Sequence, residues 1–330
     1  MRGDGGRTAR LAAVVAALAL VGAVGACSSG GGGDGGGAAP AGTTTTTEPP
    51  TPTAAELCAG VQLQSPPVTV AQPALTEASG VATSRAHEGV VWAHNDSGGA
   101  PEVFAIGPDG ADRGRWALAG AQAIDWEDMA RGPAPGGGGD DLYLADIGDN
   151  RFRRTTITVY RAPEPAVGEG ATGGTIDGVA ALTFAYPDGA HDAEALLADP
   201  VSGDLFVVTK AWGGVATGVY RVPAGTEPAA GGVPLVMTRE GDAAVPAGQL
   251  VTGGDVTVDG AVVGLRTYGG VLLWDRTDGQ TVPEALAATP CAAPAAAEPQ
   301  GEALAFDPDG RGYVTVSEGA TPPVDRARLP

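Results

Sequence analysis

Lysine is nearly absent from this chain: of 19 basic residues only Lys210 is not arginine, against 39 acidic residues and a formal net charge of -20. A surface so poor in cations cannot displace counterions from phosphates, which excludes nucleic acid and leaves cations as the complementary ligands. Histidine is scarce too. His87, His94 and His191 are all there are, too few for an imidazole-rich transition-metal centre. Aromatic residues make up only 5% of the chain and no long helical period follows residue 25, which excludes a helical bundle. Neither a Gly-x-Ser-x-Gly elbow nor a P-loop occurs.

What the chain has instead is glycine and proline, 54 and 27 of them, spaced as turns between short apolar runs. The N-terminus differs in kind. Arg2, Arg7 and Arg10 precede an apolar run from Leu11 to Val24, a signal-peptide core too short for a comfortable membrane span. It ends in Val24-Gly25-Ala26-Cys27, which resembles a bacterial lipobox. That resemblance implies cleavage before Cys27, lipidation of its sulfur and tethering to the outer face of the cytoplasmic membrane. The expected organisation is a signal peptide over 1–27, a disordered Gly/Ala/Thr/Pro tether over 28–56 spanning on the order of 30 Å, and one domain over 57–330. With Cys27 modified, Cys58 and Cys291 remain as an even pair in an oxidising compartment, where a disulfide is the economical reading and two buried thiols the alternative.

From Ser79 onward a unit recurs. A short apolar strand follows a small or acidic residue at Ala78–Ala82, Trp126–Ala130, Asp192–Leu196, Gly254–Val258 and Gly301–Ala305. After a turn, a second strand leaves through polar residues at Val91–Asp96, Leu142–Asn150, Leu205–Lys210, Val262–Thr267 and Tyr313–Glu318. Third strands read at Glu102–Ile106, Ile157–Arg161, Gly218–Val222 and Gly270–Trp274, and fourth strands at Gly114–Leu118, Val179–Ala185 and Pro234–Thr238. Small sheets of this kind cannot cover both faces alone, and closing them radially does so. The fold class is therefore all-β, a β-propeller with five blades counted. A sixth is possible within Pro223–Thr252. The last repeat is short of an outer strand while Val61–Val70 is an orphan near the start, so the N-terminal strand is expected to complete the final blade, with a Cys58–Cys291 bond locking the closure.

The Trp92-Ala93-His94-Asn95-Asp96-Ser97-Gly98 exit and the Val103-Phe104-Ala105-Ile106 strand resemble the SdiA-regulated family of bacterial propellers, relatives of NHL-repeat and TolB-like proteins. The resemblance implies five blades, a bound calcium ion and an interaction role. Phytase-related and esterase-like propellers are its neighbours.

Function is expected where hairpin ends meet. Antiparallel pairing brings together Asn95 and Asp96; Glu127 and Asp128 with Asp146, Asp149 and Asn150; Glu194 with Lys210; Asp255 with Arg266; and Glu302 with Glu318. Carboxylates so grouped raise one another's pKa unless a cation or backbone N–H groups compensate. Asp146-Ile147-Gly148-Asp149-Asn150 is oxygen-rich and bent at a glycine, which suits a hard cation such as Ca2+. The expected metal ligands are Glu127, Asp128, Asp146, Asp149, Asn150 and Glu194; the expected ligand contacts are Asn95, Asp96, Lys210, Asp255, Arg266, Glu302 and Glu318. The bland alternative for each is a turn cap or a bond to a neighbouring blade. The sequence thus points to a monomeric, lipid-anchored module that binds calcium and presents a surface to a protein or small ligand at the channel mouth. The alternative is a metal-assisted hydrolase in which His94 or His191 moves a proton. Asn95-Asp96-Ser97-Gly98-Gly99 resembles the serine segment of chymotrypsin-like proteases, but no histidine and aspartate lie far upstream of it, so it reads as a turn.

Overall fold

The computed structural model describes residues 51–170, 172–229 and 232–330. The signal peptide, Cys27 and most of the tether lie outside the described residues. Order begins inside the stretch read as tether. Helix α1 (Ala54–Gly60) starts at a capping box in which Thr53 and Glu56 satisfy each other's backbone N–H groups, and it buries Ala54 and Leu57.

Five sheets follow. Blade 1 holds β2 (Ala78–Thr83), β3 (Val91–Asn95), β4 (Glu102–Ile106) and β5 (Asp112–Leu118). Blade 2 holds β6 (Trp126–Pro133), β7 (Asp140–Asp146), β8 (Ile157–Pro163) and β10 (Ala180–Ala185). Blade 3 holds β11 (Ala193–Ala198), β12 (Leu205–Thr209), β13 (Thr217–Val222) and β15 (Thr238–Ala243). Blade 4 holds β16 (Val251–Val256), β17 (Val262–Thr267), β18 (Gly270–Asp275) and β19 (Cys291–Ala293). Blade 5 holds β20 (Gly301–Phe306), β21 (Gly312–Ser317) and β22 (Val324–Arg328), and its fourth strand is β1 (Gln62–Leu63) from the N-terminus. β1 pairs antiparallel with β22 through Gln62↔Arg328 and Leu63↔Ala327, which closes the ring as expected. Of the orphan segment Val61–Val70, this dipeptide, the Gln64 N–H on the Arg326 carbonyl and a bridge from Val68 to Val324 join the blade, and Val70 packs against it.

Among the described residues the segment Pro223–Thr252 forms no sixth blade. Its Thr238–Ala243 completes blade 3, and Leu235–Val236 (β14) crosses to pair in parallel with β10 of blade 2. Likewise Thr172–Ile176 (β9), from the loop between β8 and β10, pairs in parallel with β5 of blade 1. Two neighbouring blades are thereby strapped at their outer edges, where an unpaired strand would otherwise be open to aggregation.

Alternation along each strand sends side chains to both faces, and the buried residues sort into five clusters that coincide with the seams between blades. The cluster between blades 4 and 5 also takes in α1. Cys58 of α1 and Cys291 of β19 form the disulfide, with Cα atoms 6.2 Å apart. The bond therefore fixes the helix that precedes the closing strand to the outer edge of blade 4.

Candidate functional site

Each inner strand carries an irregularity near its start, where pairing with the second strand skips. The skipped residues are Ser79 and Gly80 in β2, Glu127 in β6, Glu194 in β11, Thr252 in β16 and Glu302 in β20. A bulge re-aims its extra side chain out of the pleat. Repeated around the ring, it turns Ser79, Glu127, Glu194 and Glu302 into a shared cavity of about 200 Å3 at the mouth. In blade 4 the corresponding Thr252 does not line the cavity; it donates its hydroxyl to the Gly301 carbonyl at 2.7 Å, as Ser79 does to the Glu127 carbonyl at 2.5 Å. The second-strand exits supply the remaining wall: Asp96, Asn150, Lys210 with Trp212, Tyr268 and Glu318.

Lys210 is the cation of this cup. Its Nζ lies 2.5 Å from Glu194 Oε1 and 5.3 and 5.2 Å from the ring centres of Trp212 and Tyr268. Burial works against its charge, and Glu194 more than offsets that, so its pKa is raised. Burial also lifts the Glu194 carboxyl while Lys210 opposes the lift. At this contact distance we take the pair as an ammonium and a carboxylate.

The other acids lack such a partner. Glu127 is 5% exposed, and burial, followed by Glu194, Asp96 and Asp125, raises its pKa well above the ordinary value. Burial and Asp96 lift Asp125 to about 6. Burial lifts Glu302 to about 7, with Lys210 opposing and Glu318 and Asp96 adding to it. One oxygen each of Asp96, Asp125 and Glu127 can be chosen so that all lie within 4.8 Å of one another, and the same holds for Glu127, Asp192 and Glu194. In the second group Asp192 is already committed, accepting the Asp149 N–H at 2.8 Å and the Trp212 indole N–H at 2.7 Å. The first group is the open one. Gly148 makes room for it: a Cβ there would stand 1.9 Å from Glu127 Oε1 and 2.7 Å from Asp125 Oδ2.

Seven expected residues thus meet in the cup: Asp96, Glu127, Asn150, Glu194, Lys210, Glu302 and Glu318. The others are placed elsewhere. Asp128 turns into the channel, where Oδ1 accepts the Met129 N–H and Oδ2 accepts those of Leu196 and Gly254, at 2.9, 2.9 and 3.1 Å. Blades 2 and 4 are not neighbours, so a side chain that joins them must cross the axis. Asp146 pairs with Arg154 at 2.7 Å and receives the Asp125 N–H, and Asp149 receives the N–H groups of Arg153 and Arg154, so both build the loop rather than face the cup. Asn95 accepts from Thr76 and Glu77 and donates to Ala74, capping a turn. Asp255 does not meet Arg266: it bonds the N–H groups of Val256 and Phe306, while Arg266, buried under Gly301, pairs with Glu298 at 2.7 Å.

Neither histidine reaches the cup. His94 is buried edge-on against Trp126, its Nδ1 2.9 Å from the Asn95 carbonyl and its Nε2 unpartnered, and burial lowers its pKa to about 4. His191 sits among Asp188, Tyr186 and Tyr220 beside blade 3. Sequence reasoning missed Ser79, Asp125, Asp192, Trp212 and Tyr268 as site residues. Asp125 and Asp192 carried a signal, since each stands two residues before a bulged glutamate.

No family model matches the chain, and no curated protein matches its sequence. Solved structures similar to it include a gluconolactonase of Xanthomonas campestris, 15% identical, covering 86% of this chain and 95% of that one, with a TM-score of 0.48. An iodide structure of Trichoderma reesei Carbohydrate-Active Enzymes Family AA12 is 10% identical over 82% of this chain and 96% of that one, with a TM-score of 0.44. A calcium structure of the same Trichoderma reesei family is 10% identical over 86% and 100%, with a TM-score of 0.43. At these values the likeness says nothing of this chain's chemistry.

Proposed function

We propose that the cup binds a divalent cation, calcium, and that the protein is a ligand-binding module. Glu127 carries the reading. It is a buried carboxylate, re-aimed by a bulge into a cavity, that receives no hydrogen bond among the described residues and faces two further carboxylates. A hard cation held by Asp96, Asp125 and Glu127, with the Asn150 amide oxygen and water completing the shell, relieves that repulsion. Lys210 and Glu194 neutralise each other beside it and do not compete. The reading agrees with what the resemblance to SdiA-regulated propellers implies.

In chelator-treated full chain, calcium at about a hundredfold over its Kd should stabilise by about 2.7 kcal/mol, read as a rise in Tm. The pair Asp125→Asn, Glu127→Gln should abolish most of that rise; Asp146 and Asp149, which hold the loop, are the wrong pair to test. A flat response of the parent chain over a broad calcium range would sink the reading. The hydrolytic alternative needs a proton carrier other than His94 or His191, and Glu302 is the cup carboxyl lifted closest to neutral pH. Calcium-dependent turnover of a phosphoester, lactone or carboxylester that disappears in Glu302→Gln would establish it.

We also propose that Cys27 is lipidated and tethers the propeller to the outer face of the cytoplasmic membrane. Globomycin should then make the precursor accumulate in cells, and unchanged processing would point to ordinary secretion.

A further inference from the structure

Trp212 walls three adjoining hollows: the acidic cup, a cavity of about 330 Å3 shared with Phe152, Val215 and Tyr220, and one of about 480 Å3 shared with Val215, Val245 and Leu250. Around it the rim exposes apolar side chains, with Arg151 and Arg153 exposed on either side of Phe152 and Asp188 and Arg239 at the far wall of the second hollow. Phe152 is 50% exposed, Trp212 42%, Val215 63% and Tyr268 40%. The indole is nonetheless held in place, its N–H on Asp192 and one face on Lys210. Its loop turns through left-handed backbone at Ala211, Gly213 and Gly214. A fixed, half-exposed tryptophan among exposed apolar side chains with a charged border is the composition of a binding hot spot. Its occupant is set by the centre of the surface. There Glu302 and Glu318 face the cavity, and the local cation, Lys210, is already taken by Glu194.

We infer that this face docks a polypeptide segment that seats a lysine or arginine in the cup against Glu302 and Glu318 and lays flanking apolar side chains over Phe152, Trp212 and Val215. Charge complementarity selects this occupant over an anionic lipid surface, which a chain of net charge -20 repels. The inference goes beyond the cation reading and does not require it, because the ion is assigned to Asp96, Asp125 and Glu127 on other blades.

The test is selection of a display library of random dodecapeptides against the full chain, run in chelator and again in calcium. Enriched peptides should carry Lys or Arg next to large apolar residues. A synthetic copy should lose about 30-fold or more in affinity in the pair Phe152→Ser, Val215→Ser. The same pair should keep the parent Tm and calcium response. Glu302→Gln, or replacing the peptide's basic residue by norleucine, should weaken binding comparably. Absence of enrichment, enriched peptides lacking a basic residue, or full binding by the Phe152→Ser, Val215→Ser pair would overturn the inference. So would binding of phosphatidylglycerol vesicles that competes with the peptides, which would assign the rim to lipid.

Discussion

Replacing Asp128 by alanine should lower the unfolding free energy by about 4 kcal/mol while leaving the proposed calcium response intact. The carboxylate is fully buried and accepts three backbone N–H groups drawn from blades 2, 3 and 4. Truncation strands all three donors inside the channel, each at a cost of about 1–3 kcal/mol, less whatever an entering water recovers. Asparagine should cost about half as much. Its oxygen can keep the Leu196 and Gly254 N–H groups, but its NH2 then faces the Met129 N–H, donor against donor. Urea titration reads both effects as a shift in midpoint at constant m. An Asp128→Ala protein as stable as its parent would mean that the three inner strands are joined across the axis by something else. Burial raises the Asp128 pKa well above the ordinary value even against these bonds, so the variant also removes an ionisation cost. That partial compensation keeps the expected loss below the sum of three orphaned donors.

Asp128 also shows where sequence reasoning stopped. The blades were legible because short alternating strands between Gly- and Pro-rich turns admit few other closures, and the unpaired N-terminal strand matched a last repeat lacking one. The straps were not: Thr172-Gly173-Gly174-Thr175-Ile176 has no alternation to read, and Pro234–Thr238, read as a fourth strand, instead holds β14, which pairs in parallel with blade 2 while Thr238–Ala243 completes blade 3, a pairing that leaves no local signature. Site membership failed for a different reason. Pure hairpin geometry makes Glu127 and Asp128 equivalent neighbours of Asp146, whereas the bulge sends the first into the cup and the second into the channel. In blade 4 the bulge falls at Thr252, three residues before the aspartate that the repeat had aligned with the other acids. The position that would have carried a glutamate is a threonine bonded to blade 5. An extra residue in an inner strand does not alter the hydrophobic pattern enough to be seen, yet it decides which side chain meets the ligand. The tryptophans divide similarly: Trp92, Trp126 and Trp274 fill seams, and Trp212, two residues past Lys210, stands at the mouth.

Between pH 6.5 and 8 the ion-free protein should lose stability, on the order of 1 kcal/mol, and calcium, if it binds as proposed, should flatten that slope. The sign follows from the direction of each shift. The carboxyls of Asp125 and Glu302 titrate near their ordinary values when unfolded, but at about 6 and about 7 in the folded cup, and burial followed by Glu194 raises Glu127 well above its ordinary value. As pH rises, the unfolded chain releases these protons first, and the folded state is then penalised until its own groups have ionised. His94 acts in the opposite sense. Its folded pKa of about 4, against an ordinary 6.5, means that stability is lost as pH falls through that interval and that its contribution is constant above it. Below pH 6.5 the histidine and the carboxyls therefore oppose each other, and above it only the carboxyls act. At the proposed site calcium would displace protons from Asp125 and Glu127, so its affinity should climb over the same range and binding should release protons. Calorimetry in two buffers of different ionisation enthalpy measures that release. A chelator-treated protein whose urea midpoint is level or rises from pH 6.5 to 8 would show that these carboxylates are already compensated by protein groups, and the case for an ion at Glu127 would go with it.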